Sequence, residues 1–213
     1  MTLSEADVLD ILQKVGAFRA GHFVFTSGRH SDSYVLKDAM YAYSRETSAV
    51  CREMAERFKD EGVEAVIGTA IGAAILAQWT AYHMGEMTGR DVYSVYADKD
   101  GQGGFVIKRG YDKILSGKNV LVVEDLTTTG GSVRKVVEAV QKVGGKVVGV
   151  VVLANRGDVT KDAVGNPPRF ECLVTLHLDS WDQDQCDLCK SNIPVNTDVG
   201  HGKAFLDSLG KQG

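Results

Sequence analysis

At 213 residues the chain has the length of one compact domain. Hydrophobic residues make up 44% and charged residues 24%, which excludes disorder and allows a core that needs no disulfide or metal. Asp and Glu outnumber Lys and Arg by 28 to 24, and the formal charge of -4 argues against a nucleic-acid partner.

The predicted elements follow in chain order. Ser4 reads as an N-cap, and Val8, Ile11, Leu12 and Val15 form a helical stripe ending at Gly16. Glu5, Asp7 and Asp10 stand where an export signal would carry basic and then apolar residues. Residues 21–43 interleave Gly, Thr, Ser and aromatics, a pattern of strands and turns. Ser44 opens a helix with Val50, Met54 and Phe58 inward and Gly62 as its stop. Val63 to Gly68 predicts a short buried strand, residues 72–84 a helix, and Val92 to Ala97 another strand. Residues 98–104 (DKDGQGG) are read as irregular. Phe105 to Ile107 and Asn119 to Glu124 are strands. Ser132 to Val143 is a helix with Val136, Val137, Val140 and Val143 buried. Lys146 to Ala154 and Phe170 to Leu178 are the last strands. Strands alternating with helices, the strands apolar on both faces, predict an α/β fold with a doubly wound, mainly parallel sheet. No apolar run is long enough to span a bilayer, so a cytoplasmic protein with reduced cysteines is expected.

The most informative run is Val120-Leu-Val-Val-Glu-Asp-Leu-Thr-Thr-Thr-Gly-Gly-Ser132. A buried strand delivers Glu124 and Asp125 at its carboxyl end, where open α/β sheets bind ligands. The following Thr/Gly/Ser loop turns into a helix, whose N-terminal amides and dipole favour a phosphate. Two adjacent carboxylates accept hydrogen bonds from a vicinal diol. Phosphate plus diol describes a ribose 5-phosphate. The run is neither a Walker A loop nor a dinucleotide fingerprint.

This run resembles the phosphoribosyl-diphosphate (PRPP) signature of the type I phosphoribosyltransferases, and the chain is most similar to their orotate branch. Phe23-Val-Phe-Thr-Ser-Gly28 resembles the segment that lies over the base. Gly68-Thr-Ala-Ile-Gly72 stands at the pyrophosphate turn, and Gly101-Gln-Gly-Gly104 in the mobile loop. The resemblance implies a single domain over residues 1–213, with an N-terminal hood (1–43), a core (44–178) and a C-terminal flap (179–213). It implies an Mg²⁺-dependent transfer of 5-phosphoribosyl from PRPP to orotate, giving orotidine 5′-phosphate and pyrophosphate in pyrimidine (UMP) biosynthesis. It implies that Glu124, Asp125, Leu126, Thr127, Thr128, Thr129, Gly130, Gly131 and Ser132 bind PRPP, with Asp125 and Lys99 catalytic and Lys99 also on PRPP. Thr128 and Arg156 would hold the orotate carboxylate. Mg²⁺ would be held by PRPP rather than by protein side chains, and the protein would be a homodimer.

Several positions depart from that pattern. The mobile loop keeps Lys99 from a usual basic cluster, with Asp98 and Asp100 where positive charge would help and Lys108 and Arg109 as substitutes. Gly72 stands where many relatives have Lys. Lys37 is a further candidate for base or pyrophosphate. These departures keep two alternatives open: transfer to a purine or uracil, or a non-catalytic PRPP-sensing regulator. Charge is uneven along the chain. Lys99, Lys108, Arg109, Lys113 and Lys118 make one stretch basic; Asp179, Asp182, Asp184 and Asp187 make the tail acidic.

Cys186-Asp-Leu-Cys189 has metal-ligand spacing, but a zinc site needs four ligands and one pair is visible. Zinc, a redox pair and plain reduced thiols stay open. His22 and His30 flank the base segment, with His30 a possible substrate contact or simply a turn residue. His201 is expected to pack or cap.

Overall fold

The computed structural model describes residues 2–209. Helix α1 (Glu5–Lys14) starts on a capping box, the Ser4 hydroxyl accepting from Asp7 N while the Asp7 carboxylate accepts from Ser4 N. Strands β1 (Phe18–Val24) and β2 (His30–Val35) form an antiparallel hairpin separate from the main sheet. A short 3-10 turn, Lys37–Ala42, leads into α2 (Ser44–Phe58). Ser44 opens α2 as expected, with Tyr43 at the N-cap and no side-chain capping hydrogen bond. Then come β3 (Ala65–Thr69), α3 (Gly72–Thr88), β4 (Tyr93–Lys99) and the two-residue β5 (Phe105–Val106). The sequence pattern did not announce α4 (Tyr111–Leu115), a single turn after a glycine. The chain continues through β6 (Asn119–Thr127), α5 (Gly131–Lys142), β7 (Lys146–Asn155) and β8 (Phe170–Thr175). It closes with the short α6 (Asp187–Lys190) and α7 (Gly202–Leu209).

The sheet runs β5-β4-β3-β6-β7-β8 and is parallel except for β5, the doubly wound α/β arrangement expected. Alternate residues of each strand feed two cores. Val66, Leu121, Val123 and Val151 pack under α1, α2 and α3. Ala65, Ile67, Val120, Val122 and Val150 pack under α4 and α5. Burial on both faces explains why these strands read as continuous apolar runs. The connection after β3 leads one way along the sheet and the connection after β6 the other. The carboxyl ends of β3 and β6 therefore flank the point where strand order reverses, which leaves a crevice.

Several boundaries moved: α3 runs on to Thr88, β3 starts at Ala65 and β8 ends at Thr175. The irregular 98–104 segment begins later, because β4 carries on through Lys99, paired with Phe105. β6 runs on from the expected end at Glu124 to Thr127, so Asp125 also lies within the strand. The terminal segments meet above the carboxyl ends. His30 exchanges backbone hydrogen bonds with Trp181, and Asn196 N donates to His22 O.

Candidate active site

The crevice between β3 and β6 holds both sequence-predicted carboxylates. Glu124 and Asp125 are buried, at 5% and 2% exposure. The Thr69 hydroxyl donates to both Glu124 oxygens at 3.2 and 3.1 Å, and Asp125 N donates to Glu124 Oε1 at 3.1 Å. Burial first, then the charge of Asp125, pushes the Glu124 carboxyl up to about 7. Lys37 Nζ lies 3.0 Å from Asp125 Oδ1, and the Tyr41 hydroxyl donates to Oδ2. Partial burial pulls the Lys37 ammonium down, but Asp125, Glu124 and Asp38 outweigh it and its pKa is raised. Burial and the same carboxylates hold the Tyr41 phenol protonated. A carboxylate has about four acceptor positions, so an Asp125 holding Lys37 and Tyr41 keeps capacity for a hydroxyl pair. Tyr41 had no sequence signal: it comes from a 3-10 turn far away in the chain.

Beyond Asp125, Leu126 packs into the core and Thr127 is buried. The Thr127 hydroxyl accepts from Gly130 N at 3.2 Å, so it shapes the loop from inside. Thr128, Thr129 and Ser132 are exposed at its surface. Gly130 has φ +78° and caps α5, and a Cβ there would lie 2.8 Å from Ala163 O. Gly157 is tighter still, since its Cβ would sit 1.8 Å from Thr128 O. The loop after β7 thus presses on the loop after β6, and Arg156 N donates to Thr127 O at 2.8 Å.

That contact places Arg156 beside Thr128. Its guanidinium lies over the Phe25 ring, 5.3 Å from the centroid. Both line a pocket of about 400 Å³ with Thr26, Ser27, Tyr34, Val35, Gly200 and His201. His201 Nε2 lies 2.9 Å from the Thr26 hydroxyl, so this residue, read as packing or capping, also faces the pocket. His30, open between a substrate contact and a turn residue in the sequence, is fully buried and turned to His22 and Cys189.

The loop after β4 is a tight hairpin. Asp100 Oδ1 accepts from Gln102 N at 2.7 Å and Gly104 N at 2.8 Å, which holds its carboxyl below the usual range. Asp98 pairs with Arg109, 3.4 Å apart, while Arg109 lies over Tyr96. Both acids therefore serve the loop's own structure. Arg109 is engaged away from the crevice, Lys108 is exposed, and Lys99 lines a cavity of about 380 Å³ with Ser132 and Lys135. Gly72, where the resemblance implied Lys, sits against two side chains of the crevice. A Cβ there would lie 2.5 Å from the Tyr41 hydroxyl and 2.7 Å from Asp125 Oδ2.

The phosphoribosyl transferase domain family matches residues 38–182. The chain belongs to the phosphoribosyltransferase family. Among the relatives of this phosphoribosyltransferase is the orotate phosphoribosyltransferase of Caldanaerobacter subterraneus subsp. tengcongensis, 37% identical over 91% of this chain and 96% of the other. That of Pelotomaculum thermopropionicum is 38% identical over equal shares. The Mycobacterium tuberculosis H37Rv orotate phosphoribosyltransferase crystallised with Fe(III) dicitrate superposes with a TM-score of 0.65. It is 28% identical over 80% of this chain and 97% of its own. No helix among the described residues is long and apolar enough to cross a membrane.

Proposed function

We infer that this phosphoribosyltransferase transfers 5-phosphoribosyl from PRPP to orotate, releasing pyrophosphate, as a step of pyrimidine biosynthesis. The observation that carries the base assignment is Arg156, which lines an aromatic-walled pocket and whose backbone is bonded to the loop after β6. A guanidinium forks onto a carboxylate, and orotate carries one. Neutral bases would leave that charge without a partner, which favours orotate over a purine or uracil. Full-length relatives named as orotate enzymes support the same reading.

In this reading the loop from Thr128 to Ser132 holds the 5-phosphate with its amides, hydroxyls and the α5 dipole. Asp125 and Glu124 accept the ribose hydroxyls, leaving the anomeric carbon facing the Arg156 pocket. Lys37, drawn in by Asp125, holds that carboxylate in place. Lys99 supplies positive charge towards the leaving pyrophosphate, and closure of its hairpin over the crevice excludes water that would hydrolyse PRPP. The donor set fits an Mg²⁺ carried by substrate oxygens: the crevice offers paired carboxylates and hydroxyls but no lysine at position 72. Mg²⁺, when bound with PRPP, neutralises charge building on the departing pyrophosphate. A homodimer in the cytoplasm is the assembly this reading takes, following the family resemblance.

The test is a spectrophotometric assay with PRPP and Mg²⁺, run in parallel with orotate, hypoxanthine and uracil. Orotate consumption alone supports the reading. Turnover of another base replaces the base assignment. PRPP binding with no turnover of any base points to a regulator instead.

A further inference from the structure

We propose that His22, His30, Cys186 and Cys189 form a structural zinc site that staples the N-terminal hairpin to the C-terminal segment. The ligand atoms of these four residues lie within 4.8 Å of one another. His22, His30 and Cys186 are at most 2% exposed, and Cys189 is partly buried.

The distances fit a tetrahedron. Zn–S bonds of about 2.3 Å and Zn–N bonds of about 2.0–2.1 Å imply S–N edges of about 3.6 Å and an N–N edge of about 3.3 Å. Cys186 Sγ lies 3.6 Å from His22 Nε2, Cys189 Sγ 3.7 Å from the same nitrogen, and Cys189 Sγ 3.4 Å from His30 Nδ1. The two nitrogens are 2.8 Å apart, so the rings part by about half an ångström around an ion. His22 Nδ1 lies 2.7 Å from Ile193 O, and donating there leaves Nε2 as the ligating atom. Four protein ligands close the site, which makes it structural rather than catalytic. The compactness also excludes a two-iron cluster, where paired ligands stand on separate metals.

With His22 Nδ1–H on the carbonyl, Nε2 turns its lone pair to the cluster, where both thiols and His30 Nδ1 converge. Around a cation each of the four offers a lone pair or thiolate, and two thiolates balance Zn²⁺. His30 Nε2 has no hydrogen-bond partner among the described residues. The hairpin residues between His22 and His30 include Phe25, Thr26 and Ser27, and the C-terminal side supplies Gly200 and His201, all pocket walls. The ion thus ties together the two segments that build one side of the pocket, whichever base enters it.

The experiment is metal analysis of the full-length protein, expressed with zinc and purified without chelator, with X-ray absorption of the bound metal. About one zinc per chain with two sulfur and two nitrogen neighbours is expected. Cys189→Ser should weaken zinc binding at least tenfold, while Cys172→Ser, on β8, should leave it unchanged. If Cys189→Ser fails to fold, Co²⁺ loaded into the wild-type chain decides: the intense visible bands and thiolate charge transfer of tetrahedral cobalt are expected. A folded wild-type protein that takes up neither zinc nor cobalt overturns the site, as does iron or a Cys186–Cys189 disulfide found in its place.

Discussion

The proposed phosphate side and the proposed base side of the crevice are built in opposite ways. The phosphate side is contiguous: Glu124 to Ser132 come from one strand, one turn and one helix start, fixed by a sheet buried on both faces. The base side is assembled from the β1–β2 hairpin, Arg156 after β7, and residues near position 200. Its walls rest on a two-stranded ribbon, which is marginal by itself, and on contacts spanning more than 160 residues. A contiguous site is positioned by the sheet; an assembled one needs cross-links between distant segments.

The sharpest way to break this contrast is where the loops after β6 and β7 press together. Gly157→Ala puts a Cβ 1.8 Å from Thr128 O, so the phosphate loop must move. A fall of at least a hundredfold in kcat/KM for PRPP is expected, about 2.7 kcal/mol. A loss under tenfold would mean the loops slide freely. Arg156→Lys keeps the charge but loses the fork. Steady-state kinetics should show kcat/KM for orotate falling about 10- to 100-fold, as for a lost charge-assisted bond of about 1.5–3 kcal/mol, with KM for PRPP little changed.

Stability separates the sides further. The Glu124 carboxyl, at about 7 in the fold against 4.5 in the free residue, binds its proton more tightly when folded. Below about pH 4.5 both states are protonated and the burial costs nothing extra. As pH rises from there to about 7, the unfolded chain ionises first, so stability falls across that window and stays lower above it. Glu124→Gln should therefore raise denaturant stability at pH 8 by about 1–2 kcal/mol, since each tenfold gain in proton affinity is worth about 1.4 kcal/mol. At pH 4.5 the gain should vanish, and a gain equal at both pH values would refute the cause. The smallest effect is expected far from both sides. Ser4→Ala removes the capping box and should lower stability by about 1 kcal/mol, a Tm drop of about 2–4 °C, with zinc content and kinetics unchanged.

The same contrast decides what could be read in the sequence. The Val120–Ser132 run was legible because strand, carboxylates, turn and helix start are neighbours in the chain. The N-cap at Ser4 was legible for the same reason. Tyr41 was not, because its partner Asp125 lies 84 residues away and nothing near Tyr41 marks it. The cysteine pair showed half of a tetrahedron, and the other half lay beside the base segment, where His30 invited a substrate role. Asp98 and Asp100 looked like lost catalytic charge. Their actual partners, Arg109 and the loop amides, appear only once the hairpin closes. Asp98 and Asp100 thus belong to a hairpin that supports itself.

The meeting of His22 with Cys186 and Cys189 also bears on how the protein is made. Synthesis runs from the N-terminus, and the sheet from β3 to β8 has all its strands once Thr175 has emerged. The hairpin, finished early, must wait for the segment around Cys186 to Gly200 before His22, His30 and the pocket wall acquire their partners. A nascent or truncated chain can carry a folded phosphate loop with no base side above it, so completion of the pocket reports that this late segment has been made.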